Sequence, residues 1–321
     1  MLIINEKQVS DILHEDNTRK LMEETLELVS LGEIKQTLRT ALHLNANNVF
    51  GLMPCHIGAK NIFGAKLISV FPENGKKGLK SHQGSIVLFD GSTGEMLSIV
   101  DADAITAVRT AAVSAVATDL LARKDSSILS ILGAGLQGRQ HAKAICKIRN
   151  IKRIQIWDSH YEFAKKVARD LSMSLNIETV AFEYAKEAVF KADIVCTVTV
   201  LREPIIKRAW LSDGVHINAV GACTPDAREI DALTIKEAKV FADSRESALN
   251  ESGDIIMPIK EDLIDKNHIL AEIGEVIGGK HPGRSSSEEI TLFESLGLAS
   301  EDIVAANYVY ETVKGDKSEV I

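Results

Sequence analysis

Ser127-Ile-Leu-Ser-Ile-Leu-Gly-Ala-Gly-Leu-Gln-Gly138 is the stretch that decides the fold. An apolar run enters Gly133-x-Gly135-x-x-Gly138, and a helical pattern follows, with Ala142, Ile145 and Ile148 at i, i+3 and i+6. The physical reading is a buried parallel strand, a tight turn and a helix N-terminus. The first two glycines let the backbone turn and approach a pyrophosphate; the third lets helix pack on strand. Unpaired N–H groups and the positive end of the helix dipole then hold the phosphates. A glycine pattern alone is weak evidence, but this one has context. A second strand, Arg153-Ile-Gln-Ile-Trp157, ends at Asp158, 20 residues beyond Gly138. A carboxylate there accepts both hydroxyls of an adenosine ribose and repels a 2′-phosphate. A glycine turn followed by a solvated aspartate explains less. The expectation is a dinucleotide site that favours NAD(H), with NADP(H) the alternative.

A chain of 321 residues favours two domains. With 45% hydrophobic and 26% charged residues it is ordinary globular protein. A net charge of −8 argues against nucleic acid and acidic membranes as partners, while leaving room for a local basic pocket. The four cysteines, Cys55, Cys146, Cys196 and Cys223, form no C-x-x-C pair. Reduced thiols in a cytoplasmic protein fit best, with neither a disulfide framework nor zinc. No signal peptide is read at the N-terminus, and no uninterrupted apolar run approaches membrane-spanning length.

Residues 1–30 read as a short strand, Leu2-Ile-Ile4, and helices. From Arg39 the period becomes that of strands: Arg39–Leu44, Val49–Met53, Ile62–Phe71, Ser85–Phe89 and Glu95–Val100, broken at Asn47-Asn48, Pro54, Glu73-Asn-Gly75 and Asp90-Gly-Ser-Thr-Gly94. This predicts a helix-flanked, mostly antiparallel sheet. An alanine-rich helix starts at Asp103 and is expected to connect the domains. From about 127, strands alternate with helices: Ile128–Leu132, Arg153–Trp157, Thr179–Phe182, Asp193–Thr199, His216–Val220, Val240–Asp243 and Glu289–Glu294, before a last helix from about Ser300 to Val313. That is a doubly wound α/β pattern.

Ligands of open parallel sheets bind at the carboxyl ends of the strands. Besides the glycine loop, three such ends stand out: Thr199, the small residues of His216-Ile-Asn-Ala-Val-Gly-Ala222, and Ser295-Leu-Gly297 after Glu294. Ordinary turn chemistry explains any one of them; together they favour a cofactor cleft. The first region also holds cations inside apolar patterns. Lys66 sits in Ile62-Phe-Gly-Ala-Lys-Leu-Ile-Ser-Val-Phe71, Arg109 lies in the alanine-rich helix, and Arg39 heads its strand. Such a lysine is costly to desolvate unless an anion meets it. Snorkelling or an internal salt bridge is the plainer account of each alone. Three together suggest a carboxylate clamp for a small acid. His82, in Ser81-His-Gln-Gly84, is a candidate proton donor, although a lone histidine is more often structural.

Thr106-Ala-Val-Arg-Thr-Ala-Ala-Val-Ser-Ala-Val-Ala-Thr118, Gly133-Ala-Gly-Leu-Gln-Gly138, His216-Ile-Asn-Ala-Val-Gly221 and Ala271-Glu-Ile-Gly-Glu-Val-Ile277 resemble the ornithine cyclodeaminase/mu-crystallin family, in order and over essentially the whole chain. Ser81-His-Gln83, Glu203-Pro-Ile205, Pro225-Asp-x-Arg-Glu229 and Ala248-Leu-x-Glu-Ser-Gly-Asp254 are most similar to its ketimine-reductase branch. The resemblance implies an α/β chain: an NAD(P)-binding Rossmann domain, 116–299, plus an α+β substrate-binding and dimerisation domain, 1–115 with 300–321. It implies a homodimer. It assigns Arg39, Lys66 and Arg109 to the substrate carboxylate, with Met53 and Leu296 lining that site. Gln83, Arg109, Gly133, Gly135, Leu136, Gln137, Gly138, Asp158, Thr199, Val220 and Ser295 fall to the dinucleotide, and no metal is implied.

Departures from the family pattern narrow the reaction. The cyclodeaminase and alanine dehydrogenase branches carry an aspartate where this chain has Cys223, and the cyclodeaminases a glutamate where it has Gly51. A thiol, mostly neutral at pH 7, cannot replace that charge; Asp226 lies close in sequence. The ketimine-reductase branch ends its second Rossmann strand in Asn-Arg-Thr, suited to NADPH, where Asp158-Ser-His stands here. The expected activity is NAD(P)H-dependent reduction of a small cyclic ketimine carboxylate, Δ1-pyrroline-2-carboxylate or Δ1-piperideine-2-carboxylate, to L-proline or L-pipecolate. Ornithine cyclodeaminase, alanine dehydrogenase and a non-catalytic dinucleotide-binding protein are the alternatives.

Overall fold

Alternating burial governs the first sheet in the computed structural model, which describes residues 1–318. Its strands are β1 (Leu2–Ile4), β2 (Ile34–Gln36), β3 (Thr40–His43), β4 (Val49–Ile57), β5 (Ile62–Val70), β6 (His82–Asp90) and β7 (Met96–Asp101). They run in the order β1-β7-β6-β5-β4-β2, with β3 also on β4, all antiparallel except β1 on β7. Met53, Cys55 and Ile57 of β4, Ile62, Gly64 and Lys66 of β5, and Ile86 and Leu88 of β6 are buried, as a period of two requires. The helices Glu15–Ser30 and Ala299–Ser318 pack together, and the second also covers β4, β5 and β6. Met22, Leu26, Ile57, Ile86, Leu88 and Ile303 are fully buried there, each worth about 1.5–3 kcal/mol.

Two features differ from the sequence expectation. Pro54 does not break its strand; β4 continues to Ile57. On its outer side β3 pairs with Val49–Leu52 and β2 with Cys55–Ile57, so neither strand needs the N–H that proline lacks. Second, β3 begins at Thr40, which leaves Arg39 in an irregular segment rather than at a strand start.

The second sheet comprises β8 (Ile128–Leu132), β9 (Arg153–Trp157), β10 (Glu178–Phe182), β11 (Ile194–Thr197), β12 (His216–Ala219), β13 (Lys239–Ala242), β14 (Ile269–Glu272) and β15 (Thr291–Glu294). All are parallel, in the order β10-β9-β8-β11-β12-β15-β13-β14. This is a doubly wound Rossmann sheet whose order reverses between β8 and β11, where such folds take their ligands. Its strands are short, and β8, β11, β12 and β15 are nearly continuously buried, as both faces are covered there.

Two compact units result: Met1–Arg109 with the stretch from Gly297, and Thr110–Leu296. The first half of the helix Ala102–Leu121 is tied to the antiparallel unit by Lys66, whose ammonium donates to Thr106 Oγ1. The second half is tied to the parallel unit, where Asn218 donates to Thr118 Oγ1. This helix also qualifies the expectation about apolar runs. At 20 residues it is long and apolar enough to cross a membrane, but 78% of its 18-residue apolar stretch is buried inside the protein.

Candidate functional site

In the parallel unit the glycine loop forms as its sequence requires. Gly133 sits at φ +111, and a Cβ there would fall 2.8 Å from Val198 O. At Gly138 a Cβ would fall 2.0 Å from Gly133 O, so only glycine lets the helix Leu136–Ile148 start this close to β8. Gly135, the N-cap, has no side-chain cap and nothing within 4 Å of an added Cβ. Backbone donors at this helix end thus face open space, which suits an anion. Leu136 is exposed and Gln137 opens the same first turn.

The other dinucleotide candidates of this unit lie at neighbouring strand ends. Asp158, after β9, accepts from Ala134 N at 2.9 Å through Oδ2 and from His160 N at 2.9 Å through Oδ1, which pins its charge beside the glycine loop. Thr199 follows β11, and its methyl carbon would lie 3.1 Å from a Cβ on Gly133. Val220 follows β12, its N–H bonded to Thr197 O at 3.0 Å. Ser295 follows β15; its N–H bonds to Ala219 O at 2.9 Å, and its buried hydroxyl meets no protein partner among the described residues. These residues fit a dinucleotide across the switch point. Leu296, expected to line the substrate site, packs into the core of this unit, its N–H on Asp243 Oδ2 at 2.6 Å.

The antiparallel unit gathers Arg39, Met53, Lys66 and Arg109. Register places Met53 of β4 and Ile86 of β6 on either side of Lys66. The Lys66 ammonium, 2% exposed as a residue, donates to Thr106 Oγ1 at 2.6 Å and to both oxygens of Asp302 at 3.2 Å. Arg109 donates from Nε to Asp302 Oδ1 at 3.1 Å and from an Nη to Glu301 Oε2 at 2.7 Å. Gly297, at φ +78, joins Arg39 to this group: its carbonyl accepts from Arg39, and a Cβ on it would fall 2.8 Å from the Arg109 guanidinium. The internal salt bridges that were the plainer sequence reading are thus present. Within this group the cations Lys66, Arg109 and Arg39 lie together with the carboxylates of Asp302 and Glu301.

Electrostatics follow from that burial. Lys66 is lowered from 10.5 to about 8, first by burial, with Asp302 pulling it back up and Arg109 and Arg39 pushing it further down. His82, at the start of β6, lies below the usual histidine range, through desolvation first and Lys66 second, against Asp103. It is therefore largely neutral at neutral pH. Gln83, expected at the dinucleotide, is the next residue of β6 and donates to Lys80 O at 3.3 Å.

The sequence pattern gives no sign of the carboxylate partners. Glu301 and Asp302 read as ordinary acids at a helix start, and Glu229 stands only within a motif. Asp226 pairs with Arg202 on the surface, and the Cys223 thiol donates to Val220 O at 3.2 Å. Neither brings a buried carboxylate to the position that the aspartate-bearing branches use. Among the described residues no group of three or more His, Cys, Asp or Glu side chains is arranged to hold a metal.

The parallel sheet and its glycine loop define a Rossmann-type dinucleotide-binding protein with an antiparallel companion unit. The ornithine cyclodeaminase/mu-crystallin family model matches residues 2–317, and the chain belongs to that family. It is 39% identical over 287 residues to the mouse (Mus musculus) protein named ketimine reductase mu-crystallin, covering 89% of this chain and 88% of the relative. It is similar to Thermococcus litoralis Δ1-pyrroline-2-carboxylate reductase, solved in complex with NADH and L-proline: 40% identity, TM-score 0.96, with 99% of this chain and 98% of that one covered. An archaeal alanine dehydrogenase dimer with bound NAD is 32% identical, with a TM-score of 0.93 over 99% of this chain and 97% of that one.

Proposed function

We propose that this protein reduces a small cyclic ketimine carboxylate, Δ1-pyrroline-2-carboxylate or Δ1-piperideine-2-carboxylate, with NADH as the favoured reductant. The observation that carries the reading is the gathering of Lys66, Arg109 and Arg39 beside Asp302 and Glu301, with Lys66 and Arg109 buried and Arg39 half-buried. Whole-length likeness to a reductase solved with NADH and L-proline supports it. The glycine loop would hold the pyrophosphate and Asp158 the adenosine ribose. NADH, when bound, would supply a hydride to the imine carbon; the C=N electron pair would pass to nitrogen, which would take up a proton, giving L-proline or L-pipecolate and NAD⁺.

This chain's residues would do the orienting. Lys66, Arg109 and Arg39 would fix the substrate carboxylate, with Met53 as an apolar wall. Lys66, protonated below about pH 8, is a better proton source than His82, which is largely neutral there. The antiparallel unit serves as the substrate-binding and dimerisation domain of a cytoplasmic homodimer, a reading supported by the dimeric archaeal relative.

The test is a spectrophotometric assay of NADH loss. Loss with Δ1-pyrroline-2-carboxylate, and no ammonia release from L-ornithine, is expected. NADH oxidation by pyruvate that depends on ammonium would instead support alanine dehydrogenation, which the likeness to the archaeal enzyme favours and the thiol at Cys223 disfavours. Cofactor binding without turnover of any imine would leave a binding protein.

A further inference from the structure

Thr199 and Gly221 follow neighbouring parallel strands, β11 and β12, and one buried carboxylate grips both. Glu229 Oε1 accepts the Thr199 backbone N–H at 2.8 Å and its hydroxyl at 2.5 Å; Oε2 accepts the Gly221 N–H at 2.9 Å. Glu229 is fully buried, and a Cβ on Gly221 would fall 2.4 Å from Oε2. Asp254 fixes it from below, accepting the N–H groups of Glu229 and Ile230 at 2.9 Å. A carboxylate is a costly group to bury where an amide could also accept hydrogen bonds. Its distinctive property is that, when ionised, it accepts only. Burial pushes Glu229 up to about 7, while the donors from Thr199 and Gly221 pull toward that ionised form.

That property sets the polarity of Thr199. A hydroxyl has one hydrogen and two lone pairs. The hydrogen goes to Glu229, and one lone pair takes the Leu201 N–H at 3.1 Å. What remains to a ligand is a single acceptor site. Asp158 places the adenosine ribose beyond β9, on one side of the glycine loop, so the nicotinamide half extends to the other, toward β11 and β12. We infer that Glu229 is a positioning residue that locks the Thr199 hydroxyl as an acceptor for the carboxamide N–H of the nicotinamide. This rests on the dinucleotide reading but not on the identity of the imine.

The test, run on the alkaline side of neutrality, compares affinities for NADH, for its reduced 3-acetylpyridine analogue, which lacks the carboxamide N–H, and for ADP-ribose, which lacks the ring. The wild type should prefer NADH to the analogue by about tenfold, the worth of one hydrogen bond. Glu229→Gln and Thr199→Val should reduce that preference to within about threefold, while Thr199→Ser keeps it and ADP-ribose affinity stays within about twofold throughout. Should Glu229→Gln fail to fold, the two Thr199 variants decide the matter. No preference in the wild type, a preference kept in Thr199→Val, or a parallel loss of ADP-ribose affinity overturns the inference. A wild type that binds no nucleotide overturns the cofactor reading as well. Retained NADH binding without imine reduction strikes the reaction alone.

Discussion

Lys66 Nζ stands 3.2 Å from both carboxylate oxygens of Asp302, with neither side chain open to solvent. Arg109 shares the same carboxylate, so Asp302 keeps a partner if the lysine is removed. Lys66→Met should therefore fold. Its NADH affinity should stay within about twofold, while kcat/KM for the imino acid drops by at least about 100-fold, within the range of about 2–5 kcal/mol for truncating one partner of a buried charge pair. Steady-state kinetics beside a fluorescence titration with NADH measure both; parental turnover would dismiss the carboxylate clamp.

Lys66 predicts opposite pH trends for stability and binding. Its value falls from 10.5 to about 8, chiefly through burial. Between those two values the unfolded chain holds a proton that the folded protein has released, so this group's contribution to stability rises as pH climbs from about 8 toward 10.5. Below about 8 the buried ammonium carries its full desolvation cost. Anion binding runs the other way, because it needs that ammonium. The groups facing it are Asp302, Thr106, Arg109, Arg39 and His82. Affinity for pyrrole-2-carboxylate, which has no group titrating in that range, should weaken about tenfold per pH unit above the break. Lys66→Arg stays charged and should lose the break; the same profile in both proteins removes Lys66 from the anion's contacts.

The parts of this site that were legible in sequence are those where a local pattern breaks its own rule. Gly133, Gly135 and Gly138 interrupt an apolar strand at fixed spacing, and Lys66 takes an inward position in a strand of period two. The parts that were not legible depend on distance along the chain. Lys66 and Asp302 are 236 residues apart, and acids in the first turn of a helix read as complements to its dipole. Glu229 was hidden for a similar reason: nothing local shows that it faces the ends of two strands. Pro54 misled because its effect depends on what pairs across β4, which only the register reveals.

In the proposed site Asp158 would set the choice of nucleotide. Its oxygens are held by Ala134 N and His160 N, so the charge cannot swing away from an incoming 2′-phosphate. Two unit charges about 4 Å apart repel by about 4 kcal/mol at an effective dielectric of about 20, and exposure reduces this. Asp158→Asn should raise the NADPH-to-NADH ratio of kcat/KM by about 10- to 100-fold, measured with one imine at fixed ionic strength. An unchanged ratio would mean that the ribose edge lies elsewhere.

The three loop glycines should separate folding from binding. An alanine at position 138 would put its Cβ 2.0 Å from Gly133 O, and one at 133 would combine φ +111 with a contact of 2.8 Å to Val198 O. Both strain backbone against backbone, and each should cost about 1–3 kcal/mol and lower Tm by several degrees. Gly135→Ala meets nothing within 4 Å and has an ordinary φ of −66, so it should fold with the parental Tm. Its added methyl faces the space where a pyrophosphate would approach the helix end, so NADH affinity should still fall by about tenfold or more. Thermal melts and NADH titrations of the three variants test this directly. If Gly135→Ala binds NADH as the parent does, the phosphates do not sit on this loop, and the helix Leu136–Ile148 is only a structural support for β8.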